Sequence, residues 1–441
     1  MSKKVSFLGG GSPFTPSLLY VLAENKESLQ GSEIWLMDID ESRLPKLTEL
    51  GEEMSERFDA DLSFSHTTKP EEALEGADFV FFGYRVGGLE HMKHDIEIPT
   101  KYGISGDETT GPGGTFMAQC TIPTTLKYCR LMEDLCPDAW AISYVNPANF
   151  ISDAVITMTD VDFISICDCI ASFNMEYLPR LFDLPPYERK YTRTDDIKSR
   201  AIGVNHLTWV VELTVEEKKA YPKLERKLKE RINNQPHDQY SGFLKELMDI
   251  YGYVHPCSFH ALPYWKQRDF LESRKNGIQH EEQVLGWSNE RWSFVEDMTS
   301  GTKYEKHPDD YCFHLYHARH AIGIMVSIIE DEGREWGGIN YPNNGAISNL
   351  PKGSIVEGPC LVDSDGLTPI SMGEVPYPIE GITKQVINWE ELSVDAALTG
   401  NENRLLQALL ACPYVNDIDS AKKTMDELLD AHREYMPQFQ D

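Results

Sequence analysis

The 441-residue sequence predicts an α/β protein: a parallel-sheet part, followed by an α+β part. Three observations predict it. The first third alternates short apolar runs with amphipathic stretches, the signature of strands and covering helices in turn. A glycine run closes the first apolar stretch and opens a helical pattern. Beyond about residue 190 the alternation gives way to longer helical patterns, many aromatics and irregular loops.

The expected strands are "KVSFLGG", "EIWLMDID", "ADFVFFGY", "AWAISYVNP" and "DFISICD", each ending in a turn former or polar group. Helical spacing recurs in residues 13 to 29 and in "TIPTTLKYCRLMEDLC". The proline- and charge-rich stretch 178 to 196 marks a boundary, giving domains 1–190 and 191–441. No internal repeat or low-complexity tract interrupts them.

In the first turn, Gly9, Gly10, Gly11 and Ser12 lead into Phe14 and Thr15 at the start of a helix. Glycine lets backbone approach a pyrophosphate, and a helix N-terminus offers unpaired N–H groups to it. Gly9 and Gly11 fit the first two glycines of the dinucleotide fingerprint; Phe14 replaces the third. Asp38, ending the second strand, is placed to accept from a ribose 2′-hydroxyl, which favours NAD over its 2′-phosphorylated relative. The first domain is therefore expected to be Rossmann-like, as in lactate and malate dehydrogenases.

Composition narrows the partners. Seventy-one acidic residues against 41 Lys plus Arg leave a formal charge of -30. That field disfavours nucleic acid and anionic membranes, and an anionic substrate would need its own basic pocket. Nine cysteines, an odd number, without an apolar signal region or membrane span, point to reduced thiols in the cytoplasm.

The stretch "FISICDC" places a carboxylate between two thiols, and "GVNHLTW" carries a histidine. Taken singly, Cys167 reads as a buried strand cysteine, His206 as a hydrogen-bonded core histidine, and Cys169 as core. "HLYHARH" offers His314, His317 and His320 at three-residue steps, which drift around a helix without carboxylate or thiol partners in the window; they read as structural.

Six separated motifs change the weighing: "FLGGGSPFTPSLL", "YRVGGLEHMKHDIEIPTKYGISGDETTGPGGTF", "YVNPAN", "SICD", "GVNHLTW" and "NNGAISNLPKGSIVEGPCLVDSDGLTPISMGEVP". In this order the chain resembles glycoside hydrolase family 4, the NAD- and manganese-dependent glycosidases, a family set apart from two-carboxylate hydrolysis. The resemblance implies Cys167 and His206 as ligands of Mn2+ or another divalent metal, and Asp168 as general acid. It implies a tyrosine base, Tyr264 from an S-x-H-x-x-x-Y spacing with Ser258 and His260, with Tyr253 as runner-up. Asn146, Asn205 and Glu108 are implied on the substrate side, with Gly111, Gly113 and Gly114 lining the same face, and Arg85 on the cofactor side. The implied reaction oxidises the sugar at C3, eliminates the aglycone, adds water and reduces the ketone again. An α-glycoside is the expected substrate and a homodimer or homotetramer the expected assembly.

The chain departs from the family at two points. Met92 stands where many members carry a phosphate-binding arginine; Lys93 and His94 lack a guanidinium's fork, and Arg274 and Arg291 are misplaced. The usual "GQET" is "GDET", which puts Asp107 beside Glu108. An unphosphorylated glycoside or glycosiduronic acid is therefore expected, with a 6-phospho-α-glucoside as the alternative substrate. A hydroxy-acid dehydrogenase and a non-catalytic NAD sensor are the alternative functions.

Overall fold

The computed structural model describes residues 2–184, 197–276, 280–300 and 315–440. Its first six strands are β1 (Lys4–Leu8), β2 (Ser32–Met37), β3 (Leu62–Thr67), β4 (Phe79–Phe82), β5 (Trp140–Ser143) and β6 (Phe163–Ile166). They run parallel in the order β3-β2-β1-β4-β5-β6, the doubly wound arrangement. Helices cover both faces, so central strands carry no polar alternation: all four residues of β4, Phe-Val-Phe-Phe, are buried. Five strands coincide with the expected apolar runs. The sixth, β3, was not anticipated, because at the sheet edge "LSFSHT" is only half-buried and mostly polar.

The sheet then continues antiparallel instead of ending. Strand β6 pairs with β10 (Arg334–Pro342), Ile166 opposite Ile339, and β11 (Ile355–Asp363) follows. Beyond it lie β7 (Ile197–Val204), β8 (Leu207–Val215) and β9 (Lys218–Lys219), while β12 (Gly366–Pro369) pairs with β11. The expected α+β character of the second part is present, but its strands extend the first sheet into one of twelve strands among the described residues. The expected boundary at 190/191 lies outside the described residues.

Two consequences position the functional side chains. Parallel strands deliver their C-terminal ends, Leu8, Phe82, Ser143 and Ile166, to one edge of the sheet, where ligands of open α/β sheets bind. The β7–β8 hairpin turns on only two residues, Asn205 and His206, between the paired Val204 and Leu207. Behind that hairpin, Trp209 is wholly buried against His255 and Trp265, with ring centroids 5.1 and 5.7 Å away. Trp265 Nε1 donates to the Tyr251 hydroxyl at 2.9 Å. This aromatic cluster anchors the helix Ser258–Asn276, which carries His260 and Tyr264, against β8.

Among the described residues no helix is long and apolar enough to cross a membrane. Eight of the nine cysteines are described, and all eight are free thiols.

Candidate active site

The glycine turn is built for close backbone approach. Gly9 has φ +90°, and a side chain there would meet the Gly83 carbonyl oxygen at 2.6 Å. The N–H groups of Gly9 and Gly10 both donate to the Met37 carbonyl, at 2.9 and 2.7 Å. Gly11 N–H donates to Asp38 Oδ2 at 2.9 Å, tying the end of β2 to the turn. Ser12 Oγ accepts from the Phe14 N–H, and the helix Thr15–Glu24 begins there. Thr15 Oγ1 is buried without a hydrogen-bond partner among the described residues. Arg291 stacks its guanidinium 4.4 Å above the Phe14 ring, bringing a buried cation to this helix start. Arg85 is engaged elsewhere: it donates to Asp95 Oδ2 at 3.0 Å.

At the end of β6, Cys167 and the β7–β8 turn converge. One ligand atom each from Cys167, Cys169 and His206 lies within 4.8 Å of the others. The structure thus brings Cys167 and His206 together, and it removes Cys169 from the core where sequence had put it. His206 Nδ1 lies 3.0 Å from Cys257 Sγ, while its buried Nε2 meets no partner among the described residues. Burial, with His260 close by, pushes His206 down to about 3, so the ring is neutral and carries a lone pair. The Cys167 thiol is pushed well above its ordinary value, first by its contact with Cys169 and then by burial. Such a thiol awaits a cation before it ionises. Asn205 Nδ2 donates to Glu357 Oε2 at 2.8 Å, and burial raises Glu357 to about 7. The buried Asn205 Oδ1 is left without a partner among the described residues.

Asp168 opens the short helix Asp168–Ser172, for which Cys167 is the N-cap. Its carboxylate is 39% exposed instead of sealed against the strand, and Oδ2 lies 3.2 Å from His317 Nδ1. His317 therefore has the carboxylate partner that its own sequence window lacks, and it also packs on Phe14 and Tyr144. His320 is buried against Trp336, in keeping with a structural role; His314 lies outside the described residues.

The loop before the helix Gly111–Leu135 supplies two further acids. Gly113 and Gly114 pack closely on that loop: side chains there would meet the Asp107 and Thr109 carbonyl oxygens at 2.1 and 2.0 Å. They let the loop lie directly on the helix. Glu108 is buried beside Thr109 Oγ1, and Asp107 holds His260 Nδ1 at 3.0 Å from both carboxylate oxygens. Burial alone would lower His260, but Asp107 overrides it and raises the imidazole to about 9. Asp107 is correspondingly held below its ordinary value. The pair is an ion pair at neutral pH, and its contribution is lost as pH rises from the unfolded value of His through about 9. Thermal unfolding of the wild type is expected to lose stability across that range more steeply than His260→Gln. Parallel slopes would refute the ion pair.

Tyr264 follows His260 by one helical turn and packs on Tyr414 at 5.4 Å between ring centroids. Burial holds its hydroxyl well above the ordinary tyrosine value, with Cys412, Glu390, Asp107 and Cys257 adding to it. Tyr253 packs instead on Tyr221, at 6.4 Å. The Ser258 side chain lies outside the described residues, and Asn146 is half-buried after β5. Met92 is buried in the helix Gly88–Lys101.

Residues 4–181 match the model of the family 4 glycosyl hydrolases, and residues 201–415 match that of their C-terminal domain. The chain belongs to glycosyl hydrolase family 4. This family 4 enzyme is 29% identical to a probable 6-phospho-β-glucosidase of Bacillus subtilis, over 99% of its own length and 98% of the relative's. It is 28% identical to an α-galactosidase of the same organism, over 99% and 100%. Its fold superposes on a 6-phospho-α-glucosidase from gut microorganisms, solved with NAD and Mn2+, with TM-score 0.88 over all of both chains at 22% identity. Family 4 membership makes it a glycosidase and sets aside the hydroxy-acid dehydrogenase and the sensor. Sequence reading passed over Cys257 and Glu357, and it did not bring Cys169 beside His206 or His317 beside Asp168. Only the cysteine spacing "CDC" could have flagged any of them.

Proposed function

We propose that this enzyme hydrolyses an α-glycoside at a redox-assisted site that uses NAD and Mn2+ or another divalent metal. One observation carries the reading: the thiol of Cys167, the orphaned imidazole nitrogen of His206 and the carboxylate of Asp168 gather at the same sheet edge as the glycine turn. The residues fit both groups. A neutral imidazole and a thiol are a donor set for a divalent ion with positions left open. Gly9 and Gly10 seat the turn directly on Gly83 and Leu36, where any side chain would clash, and the turn leads to the unpaired Thr15 hydroxyl at a helix start.

NAD seated at the glycine turn would supply a hydride acceptor and donor for sugar C3, and a divalent metal held by Cys167 and His206 would supply Lewis acidity beside it. The chain's own residues handle protons. Tyr264 takes the C2 proton; burial holds its pKa well above the ordinary value, which makes it a strong base once ionised. Asp168 gives a proton to the departing C1 oxygen, oriented by His317. Asn205, held by Glu357, and Glu108 bind sugar hydroxyls, with Asn146 beside them. Asp38 binds the adenosine ribose, and Phe14 and Arg291 close over the pyrophosphate.

Arg291→Ala is expected to weaken NAD binding about tenfold, the order of one charge-assisted contact, with little change in metal binding. Unchanged NAD affinity by fluorescence titration would remove Arg291 from that site.

The absent guanidinium at Met92 supports an unphosphorylated sugar, and 4-nitrophenyl α-glycosides should turn over faster than their 6-phosphates. The decisive experiment is hydrolysis in deuterated water with NAD and Mn2+. Deuterium at C2 of the product is expected; product without it sinks the elimination. A cytoplasmic homodimer or homotetramer completes the proposal, testable by light scattering.

A further inference from the structure

The catalytic reading employs one thiol, yet three converge on His206. Cys167, Cys169 and His206 offer ligand atoms within 4.8 Å of one another, and Cys257 touches His206 Nδ1 at 3.0 Å. The Cys169 thiol is in hydrogen-bonding contact with both Cys167 and Cys257. The three come from different pieces of chain: the end of β6, the first turn of the helix Asp168–Ser172, and the loop before Ser258–Asn276.

Resting on the metal-centre reading above, we propose that Cys169 is a second thiolate ligand, and that it makes this centre take thiophilic ions in preference to Mn2+. Zn2+ or Cd2+ would be held by Cys167, Cys169 and His206, while Cys257 stays on Nδ1 and fixes the ring. The chemistry follows from softness: thiolates select Zn2+ over the oxygen-seeking Mn2+, and Zn2+ already lies higher in the affinity order. An outer partner on the second imidazole nitrogen is the usual support of a ligating histidine. Binding converts two thiols to thiolates, so two protons leave for solvent per ion taken up, with no change of oxidation state. The two ligands flank Asp168, so an ion bridging them pins the turn that carries the general acid. A thiophilic ion is thereby an inhibitor that a chelator reverses.

The test uses the full chain under reducing conditions. Cd2+ titration should show sulfur-to-metal charge-transfer absorption of two thiolates per ion in the wild type and one in Cys169→Ser. Zn2+ affinity, by competition with a chromogenic chelator, should fall by at least about ten- to a hundredfold in that variant, and Mn2+ affinity, by paramagnetic resonance of the free ion, should change little. Cys169→Ala serves as a second variant should serine disturb the turn. Wild-type charge-transfer intensity and Zn2+ affinity in both variants would overturn the proposal while leaving the Mn2+ centre intact. Undiminished Mn2+ binding by Cys167→Ser would instead overturn the underlying reading.

Discussion

His206→Gly is expected to end glycoside turnover and still be more stable than His206→Ala, by about 1 kcal/mol. The reason is the backbone. His206 occupies φ +138° at a two-residue turn, a region that side chains rarely adopt and that costs on the order of 1–3 kcal/mol. Both substitutions delete the same ring and its contacts with Cys257 and His260. Only glycine also relieves the strain, so the usual order of alanine over glycine reverses. Turnover should fall by more than about a hundredfold in both variants, beyond the loss typical of an outer partner. Urea midpoints and metal-dependent hydrolysis check the two halves separately. A glycine variant less stable than the alanine variant refutes the strain, and activity surviving in either refutes the ligand.

Asp168→Asn should lower kcat by about 10²–10⁴ on glycosides with poor leaving groups. On a dinitrophenyl glycoside, whose departing oxygen needs no proton, the loss should nearly vanish. The prediction follows from a carboxylate that is partly open to solvent and braced by His317 Nδ1 at 3.2 Å, not sealed in the core. A Brønsted series of aryl glycosides makes the comparison. Equal losses across the series would assign Asp168 a structural role at the start of its helix.

The parallel half of the fold was legible because of where it lies. Strands buried on both faces must be apolar throughout, so "FVFF" and "FISI" stand out between turn formers. The edge strand β3 escaped because half-burial leaves room for Ser and His. The antiparallel continuation escaped for another reason: Ile166 pairs with Ile339, far along the chain, and no local pattern records such a partner. At the site, the glycine turn and Asp38 were readable as local chemistry. Cys167, His206 and Asp168 became candidates only through family resemblance, since each is ordinary in its own window.

By itself the sequence determined the glycine turn, the apolar strands, the acidic surface and the family motifs, all of which depend on neighbours along the chain. The tertiary structure alone decided that Cys169 and Cys257 join Cys167 around His206, that Asp107 charges His260, and that His317 braces Asp168. Each of these is a contact between side chains held on separate elements. It exists because a continuous sheet and one aromatic cluster bring those elements to the same edge, and burial there makes the contacts electrostatically strong.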